Sequence, residues 1–148
     1  MKAINIMTET TPEYIILDHT ADLGVKIKGT SLIDLFENAG RTLLHLMFRI
    51  RLTEQADFTK ISISGNDLAD LMVRWLTEIL YLFAGENLVV TGINIDSLSP
   101  AVLKATLRTS PFDPKSHKII REIKAVTYHQ IAVTDENGIW TARVIFDI

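Results

Sequence analysis

Asp18, His19, Thr20 and Asp22 place four polar groups within five positions of the stretch ILDHTADLGVKIKG, residues 16–29. Both flanks are apolar, and in the second Val25 and Ile27 alternate with Lys26 and Lys28, the period-two pattern of a half-buried strand. Two carboxylates and an imidazole at the mouth of a strand can collect a hard cation through oxygen, with the imidazole as a base beside it. The same residue types also serve structure. Asp18 and Thr20 can cap a bulge by bonding nearby main-chain groups, and His19 can be a satisfied structural histidine.

A further acidic position lies at the opposite end of the chain. In IWTARVIFDI, residues 139–148, Trp140, Ala142, Val144 and Phe146 share one face and are the predicted core side. Thr141, Arg143 and Asp147 alternate onto the other face. Ile148 is expected back on the core side, anchoring its own main chain, so that the Asp147 carboxylate stands one residue before the terminal carboxylate. Two like charges at ~4 Å cost about 1 kcal/mol in bulk water and about 4 at an effective dielectric of ~20, so such a group calls for a cation or basic side chains. If Asp22 reaches the same point, three carboxylates converge. Hard oxygen donors without thiolates or clustered imidazoles suit Ca²⁺, Mg²⁺ or Mn²⁺ and not zinc. A lone aspartate beside a chain end is equally well a solvated group. In IKAVTYH, residues 123–129, Lys124 and His129 pose the same choice between a solvated strand face and a functional one.

The elements that must position these groups follow from periodicity. Residues 13–17 and 23–29 read as strands. A helix over about 31–49, capped by Thr30 or Ser31, carries Leu32, Leu35, Phe36, Ala39, Leu43 and Met47 on one stripe. A strand over 58–64 leads through the turn SGND to a second helix, which is expected to end at Gly85 in the left-handed position. From residue 88 the pattern is almost wholly β: LVVTGINI, AVLKATLRT, a polar loop SPFDPKSHK, then IKAVTYHQIAV and IWTARVIFDI around TDENG, a hairpin connection containing Asn-Gly. Two helices packed on a mostly antiparallel β-sheet make this an α+β fold in a single compact domain, residues 13–148, preceded by a flexible leader, residues 1–12.

The chain has 148 residues, 47% hydrophobic and 22% charged, which is ordinary globular usage and enough for a sizeable core. The most apolar helix candidate, residues 67–84, carries Asp70, Arg74 and Glu78 along one face, which makes it amphipathic and not a membrane span. The N-terminal MKAINIMTETTP lacks the apolar core and cleavage site of a signal peptide. With no cysteine, disulfides, zinc-thiolate sites and cysteine nucleophiles are excluded together, and a cytoplasmic location is expected by default. The net charge of −3 is unevenly spread: residues 1–100 hold 8 Lys/Arg against 13 Asp/Glu, whereas residues 101–129 hold 6 against 2. That basic stretch is either the solvated face of two strands or a surface for RNA or an acidic protein. There is no arginine-rich tract or RNA-recognition signature, and no DNA partner is expected.

Taken in order and spacing, YIILDHTADLGVKIKGTSLIDLFENAGRTLLHLM, NDLADLMVRWLTEILYLF, IKAVTYHQI and the terminal FDI resemble the archease family over residues 14–148. The resemblance implies an accessory protein with no catalytic residues of its own. Its partner would be the GTP-dependent RNA ligase that joins tRNA halves in splicing and repairs broken RNA, so that RNA is met only indirectly. Archeases speed guanylylation of the ligase's histidine and allow multiple turnover. The family's divalent cation, with Ca²⁺ the ion expected in a structure and Mg²⁺ or Mn²⁺ as alternatives, maps onto Asp22, Asp147 and Ile148. His19, Asp18, Lys124 and His129 map around it as partner-facing or supporting groups, and His117 falls where the family carries a Lys-His pair, here interrupted by Ser116. Two other classes compete. A general chaperone-like binding module predicts exposed apolar surface and indifference to Asp22. A metal-dependent hydrolase with His19 as base lacks both a second carboxylate–histidine set and a nucleotide-cradling glycine loop.

Overall fold

The computed structural model describes residues 5–6, 12–17 and 22–148. In chain order these form β1 (Asn5–Ile6), β2 (Tyr14–Leu17), β3 (Asp22–Gly29), α1 (Leu32–Met47), β4 (Phe48–Ile50), β5 (Asp57–Ser64), α2 (Leu68–Glu86), β6 (Leu88–Leu98), β7 (Val102–Pro111), β8 (His117–Ile119), β9 (Ala125–Val126), β10 (Ala132–Glu136) and β11 (Ile139–Asp147). One antiparallel sheet has the order β1-β6-β7-β5, a second β10-β11-β3-β2 with β9 also on β11, and β4 pairs with β8 in a small ribbon. The α+β architecture is as expected, with the strands divided between two sheets. Asn5–Ile6, within the stretch expected as a leader, pair with Ile93 and Gly92 of β6.

Helix α1 is the centre of the molecule. Ser31 caps it by accepting the Asp34 N–H at 3.0 Å, and the Asp34 carboxylate reaches back to the Thr30 N–H at 2.8 Å. No residue from Leu32 to Met47 is exposed, because the helix packs against β3 and β11 of one sheet and β6 of the other. A helix buried between two sheets must satisfy whatever polar groups it carries inward, while Asp34, Asn38, Arg41 and His45 form its half-exposed face. The buried Glu37 carboxylate accepts the Ile95 N–H at 3.1 Å, at the irregularity where β6 slips its pairing with β7 between Ile95 and Ser97. Helix α2 lies against α1, and the fully buried Trp75 donates its indole N–H to the Phe36 carbonyl at 2.8 Å.

The cap of α2 differs from expectation at its C-terminal end. Asp67 caps the start, accepting the Asp70 N–H at 2.8 Å. The left-handed residue at the other end is Asn87 (φ 57°, ψ 35°), and Gly85 remains helical. Asparagine tolerates that conformation, and a Cβ on Gly85 would sit 2.4 Å from the Tyr81 ring, so Gly85 makes room for a side chain and does not stop the helix. The expected strand over residues 123–133 is also broken. Only Ala125–Val126 and Ala132–Glu136 are strand, and Gln130 turns the chain at φ 53° between them. The Thr127 N–H and hydroxyl both go to the Ile145 carbonyl, at 3.0 and 2.8 Å, and pairing with β11 ends there. The Asn137-Gly138 turn holds as expected, both residues at positive φ (57° and 85°) in a two-residue hairpin loop.

Gly29, where β3 meets the first turn of α1, has no such latitude. A Cβ there would lie 2.4 Å from the Leu35 nitrogen and 2.6 Å from its Cα, and helix backbone cannot step aside. Gly29→Ala is expected to cost roughly 1–3 kcal/mol as overpacking. Gly85→Ala is expected to be near neutral, because the half-exposed Tyr81 ring can move and alanine favours helix by about 1 kcal/mol. Urea unfolding of the two variants checks the contrast.

Candidate metal centre

Strands β3 and β11 run antiparallel from Gly29 opposite Trp140 to Asp22 opposite Asp147. Directly opposed residues point to the same side of a sheet. Leu23, Val25 and Ile27 pair with Phe146, Val144 and Ala142, and all six are buried against the helices. By alternation Asp22 and Asp147 therefore share the opposite face, on the last rung of the ladder, with Cβ atoms about 4.5–5.5 Å apart. Asp22 is half-buried and Asp147 exposed. Among the described residues neither carboxylate has a hydrogen-bond or ion-pair partner.

The other edge of Asp147 is held as firmly. Ala125 of β9 lies opposite it, and the Lys124 N–H donates to the Asp147 carbonyl at 2.8 Å. That carbonyl is thereby engaged, and the next main-chain oxygen, that of Ile148, has no hydrogen-bond partner among the described residues. The Ile148 side chain, expected on the core side, is instead 42% exposed, one residue past Asp147, the last residue of β11. Of the predicted residues, Asp22, Asp147 and Ile148 are brought together, and Lys124 is joined to them through its main chain with its side chain exposed. His129 is exposed and donates its N–H to Thr127 Oγ1 at 3.3 Å; by this point the chain has turned away from the carboxylate rung, and its neighbour Gln130 lines a cavity with Arg143. Asp18, His19 and Thr20 lie outside the described residues. No group of three or more His, Asp or Glu side chains converges among the described residues, where the carboxylates at this rung are those of Asp22 and Asp147.

Tyr128 anchors the turn that leads away from this rung, a role that strand alternation does not suggest. Its hydroxyl donates to Asp70 Oδ1 at 2.6 Å, while Asp70 Oδ2 accepts from the Asn66 N–H at 2.8 Å and from Arg74 Nε at 3.0 Å. The Tyr128 hydroxyl foremost, then the Asn66 N–H and the Arg74 guanidinium, hold the Asp70 carboxyl below the usual range, and the same contact raises the Tyr128 phenol. Asp70 is thus buried under Tyr128 and is not part of an open helix face. His117 is likewise structural: it is 2% exposed, stacked on Phe112, and its Nδ1 accepts the Asp113 N–H at 3.0 Å. Burial pushes its pKa down against the smaller opposing pull of Asp113. The basic stretch is split in role. Arg108 donates to the Thr53 carbonyl and Arg121 to the Leu46 carbonyl, whereas Lys104, Lys115, Lys118 and Lys124 are exposed.

A profile of the Archease protein family matches residues 14–148. The chain belongs to the archease family. Protein archease of Methanosarcina barkeri is 31% identical over 146 residues, which cover 96% of this chain and 100% of that protein. The solution structure of Methanobacterium thermoautotrophicum protein 1598 shares the fold with a TM-score of 0.72 at 28% identity, over 91% of this chain and 98% of that one. The crystal structure of a Thermotoga maritima archease, called a possible chaperone, agrees in fold at a TM-score of 0.61 and 23% identity, over 89% and 94% of the two chains. Both ends of the carboxylate pair in this archease fall inside the matched span. No helix among its described residues is long and apolar enough to cross a membrane.

Two titrations follow from this geometry. The folded-state pKa of His117 lies below its ordinary 6.5, so the unfolded chain binds the proton more readily. The contribution of His117 to stability is complete above pH 6.5 and is lost as pH falls from there through the depressed folded value. In His117→Asn, whose side-chain oxygen can still accept the Asp113 N–H, the decline in unfolding midpoint over that window is expected to shrink. In Tyr128→Phe the Asp70 carboxyl is expected to titrate closer to 3.8, read by NMR of its side-chain carbon, with faster amide exchange over residues 127–131.

Proposed function

We propose that this archease is a metal-binding accessory protein that activates a GTP-dependent RNA ligase in tRNA splicing or RNA repair, promoting guanylylation of the ligase and its multiple turnover. The observation that carries this reading is the Asp22–Asp147 rung: two like charges on one side of a sheet edge, without a basic partner among the described residues. Like charges directly opposite one another destabilise a sheet, and at ~5 Å the repulsion runs from about 1 kcal/mol in bulk water to about 3 at an effective dielectric of ~20. A hard divalent cation would reverse that sign, and two carboxylates with a main-chain oxygen are the donors such an ion takes.

In this reading Asp22, Asp147 and the main-chain oxygen of Ile148 hold the cation. Bound there, it supplies concentrated positive charge that can template or polarise the phosphates of the ligase's nucleotide. The chain's own part is positional. Pairing with β3 on one edge and β9 on the other keeps the Asp147 carboxylate at a fixed point on the surface. Lys124, exposed beside it, faces the partner, as does His129 on the neighbouring turn. A ligand set left open on one side suits an ion completed by a second protein.

Asp22→Asn and Asp147→Asn are expected to abolish stimulation of single-turnover ligase guanylylation. Both variants should unfold no lower than the parent in chelator, since each removes a repulsion, and neither should gain stability from added Ca²⁺ or Mn²⁺. Undiminished stimulation by both would exclude the reading.

The chaperone-like alternative has one observation in its favour. Ile119 is half-exposed over a cavity of about 350 Å³ whose walls include Met47, Phe48, Leu80 and Phe83. Suppression of client aggregation, unchanged in Asp22→Asn, would favour that role.

A further inference from the structure

The face that carries the carboxylate rung changes sign along its length. Four residues before Asp147, about 13 Å along the strand, Arg143 lies opposite Lys26 on the same side of the sheet. With Gln130, Thr134, Glu136 and Thr141 they line a cavity of about 270 Å³. Two features of this cavity are incomplete. Thr141 is only 5% exposed, and its hydroxyl is buried without a hydrogen-bond partner, a cost of about 1–3 kcal/mol if nothing ever meets it. The Arg143 guanidinium has no hydrogen bond or ion pair among the described residues.

Lys26 has a partner, loosely held. Its ammonium is 3.8 Å from the Glu136 carboxylate, well beyond the 2.7–2.9 Å of a charge-assisted hydrogen bond, and both side chains are partly exposed. The pair is anchored on the two strands that flank β11 and crosses the rung on which Thr134 faces Thr141. A carboxylate thus already stands beside one of the cations of the cavity that Thr141 lines.

We propose that this cavity binds a phosphate-bearing ligand, with Lys26 and Arg143 neutralising its oxygens and the Thr141 hydroxyl donating to one of them. Two cations face one another on a single rung and repel, so a dianion suits them better than a single carboxylate. A guanidinium fork, a point-charge ammonium and a hydroxyl line one cavity, three separate donor groups that the oxygens of a phosphate can take, whereas a planar carboxylate is one oxygen short. Glu136 is the competitor that the ligand displaces.

Calorimetric titration of the whole chain in chelator, so that no cation sits at the Asp22–Asp147 rung, tests this separately from the ligase reading. The probes are inorganic phosphate, a nucleoside 5′-monophosphate, and a short RNA with and without a 5′-phosphate. Phosphorylated probes are expected to bind, with affinity reduced about tenfold or more in Arg143→Ala and Thr141→Val, as loss of one charge-assisted hydrogen bond implies, and increased in Glu136→Gln. Thr141→Val should also unfold higher than the parent without ligand, because a methyl replaces an unsatisfied hydroxyl. Binding of the mononucleotide alone assigns a nucleotide as the source, and binding of the phosphorylated RNA alone assigns an RNA end. Absence of binding by every probe, equal binding of the two RNAs, or affinities unchanged by both Arg143→Ala and Thr141→Val would overturn the proposal.

Discussion

The antiparallel register of β3 against β11 is the constraint on which the rest of this structure depends. It sets Asp22 opposite Asp147, and it sets Lys26 opposite Arg143 two rungs earlier on the same face. A slip of one residue would exchange the two faces of a strand, moving Val25 and Ile27 out of the core and the aspartate into it. The register is therefore enforced by burial on the helix side, where Leu23, Val25, Ile27, Ala142, Val144 and Phe146 join the core cluster. Burial on one side of the sheet fixes the chemistry on the other.

That outer side is electrostatically divided. Acidic oxygens end the ladder, and basic side chains follow a few residues inward. The second edge of β11 is divided as well, between β9 beside Asp147 and β10 beside Arg143. The turn joining those two strands is pinned from a distance by Tyr128, whose partner Asp70 lies 58 positions earlier on α2. Helix α2 thus positions a surface loop as well as closing the core. In the proposed reading, function belongs to the end of the β3–β11 ladder and not to a pocket within the core.

Much of this was legible in the chain itself. Alternation identified the core faces of β3 and β11, and the paired carboxylates were singled out by type and position. What alternation does not carry is which rung meets which, since a shift of two residues preserves both faces. The break in residues 123–133 was hidden because Val126, Thr127 and Tyr128 are all good strand formers, and only the Thr127 contacts with Ile145 show where the ladder ends. Asp70 and Arg74 have the spacing of an exposed helical pair, and nothing local announces the tyrosine that meets Asp70. Ile148 has the parity of a core residue, yet it is exposed one position past the last described rung, Asp22 opposite Asp147. The unsatisfied hydroxyl of Thr141 has no sequence signature at all, for its cavity is lined by residues of β3 and β10 as well as β11.

The claim that a hard cation joins the two ends of the folded chain is tested most directly by anomalous diffraction from crystals soaked in Ca²⁺ or Mn²⁺. An ion within about 2.1–2.6 Å of carboxylate oxygens from both Asp22 and Asp147 is the expected result. An ion bound elsewhere, or an Asp22 side chain turned away from Asp147 with density for neither metal between them, would contradict it.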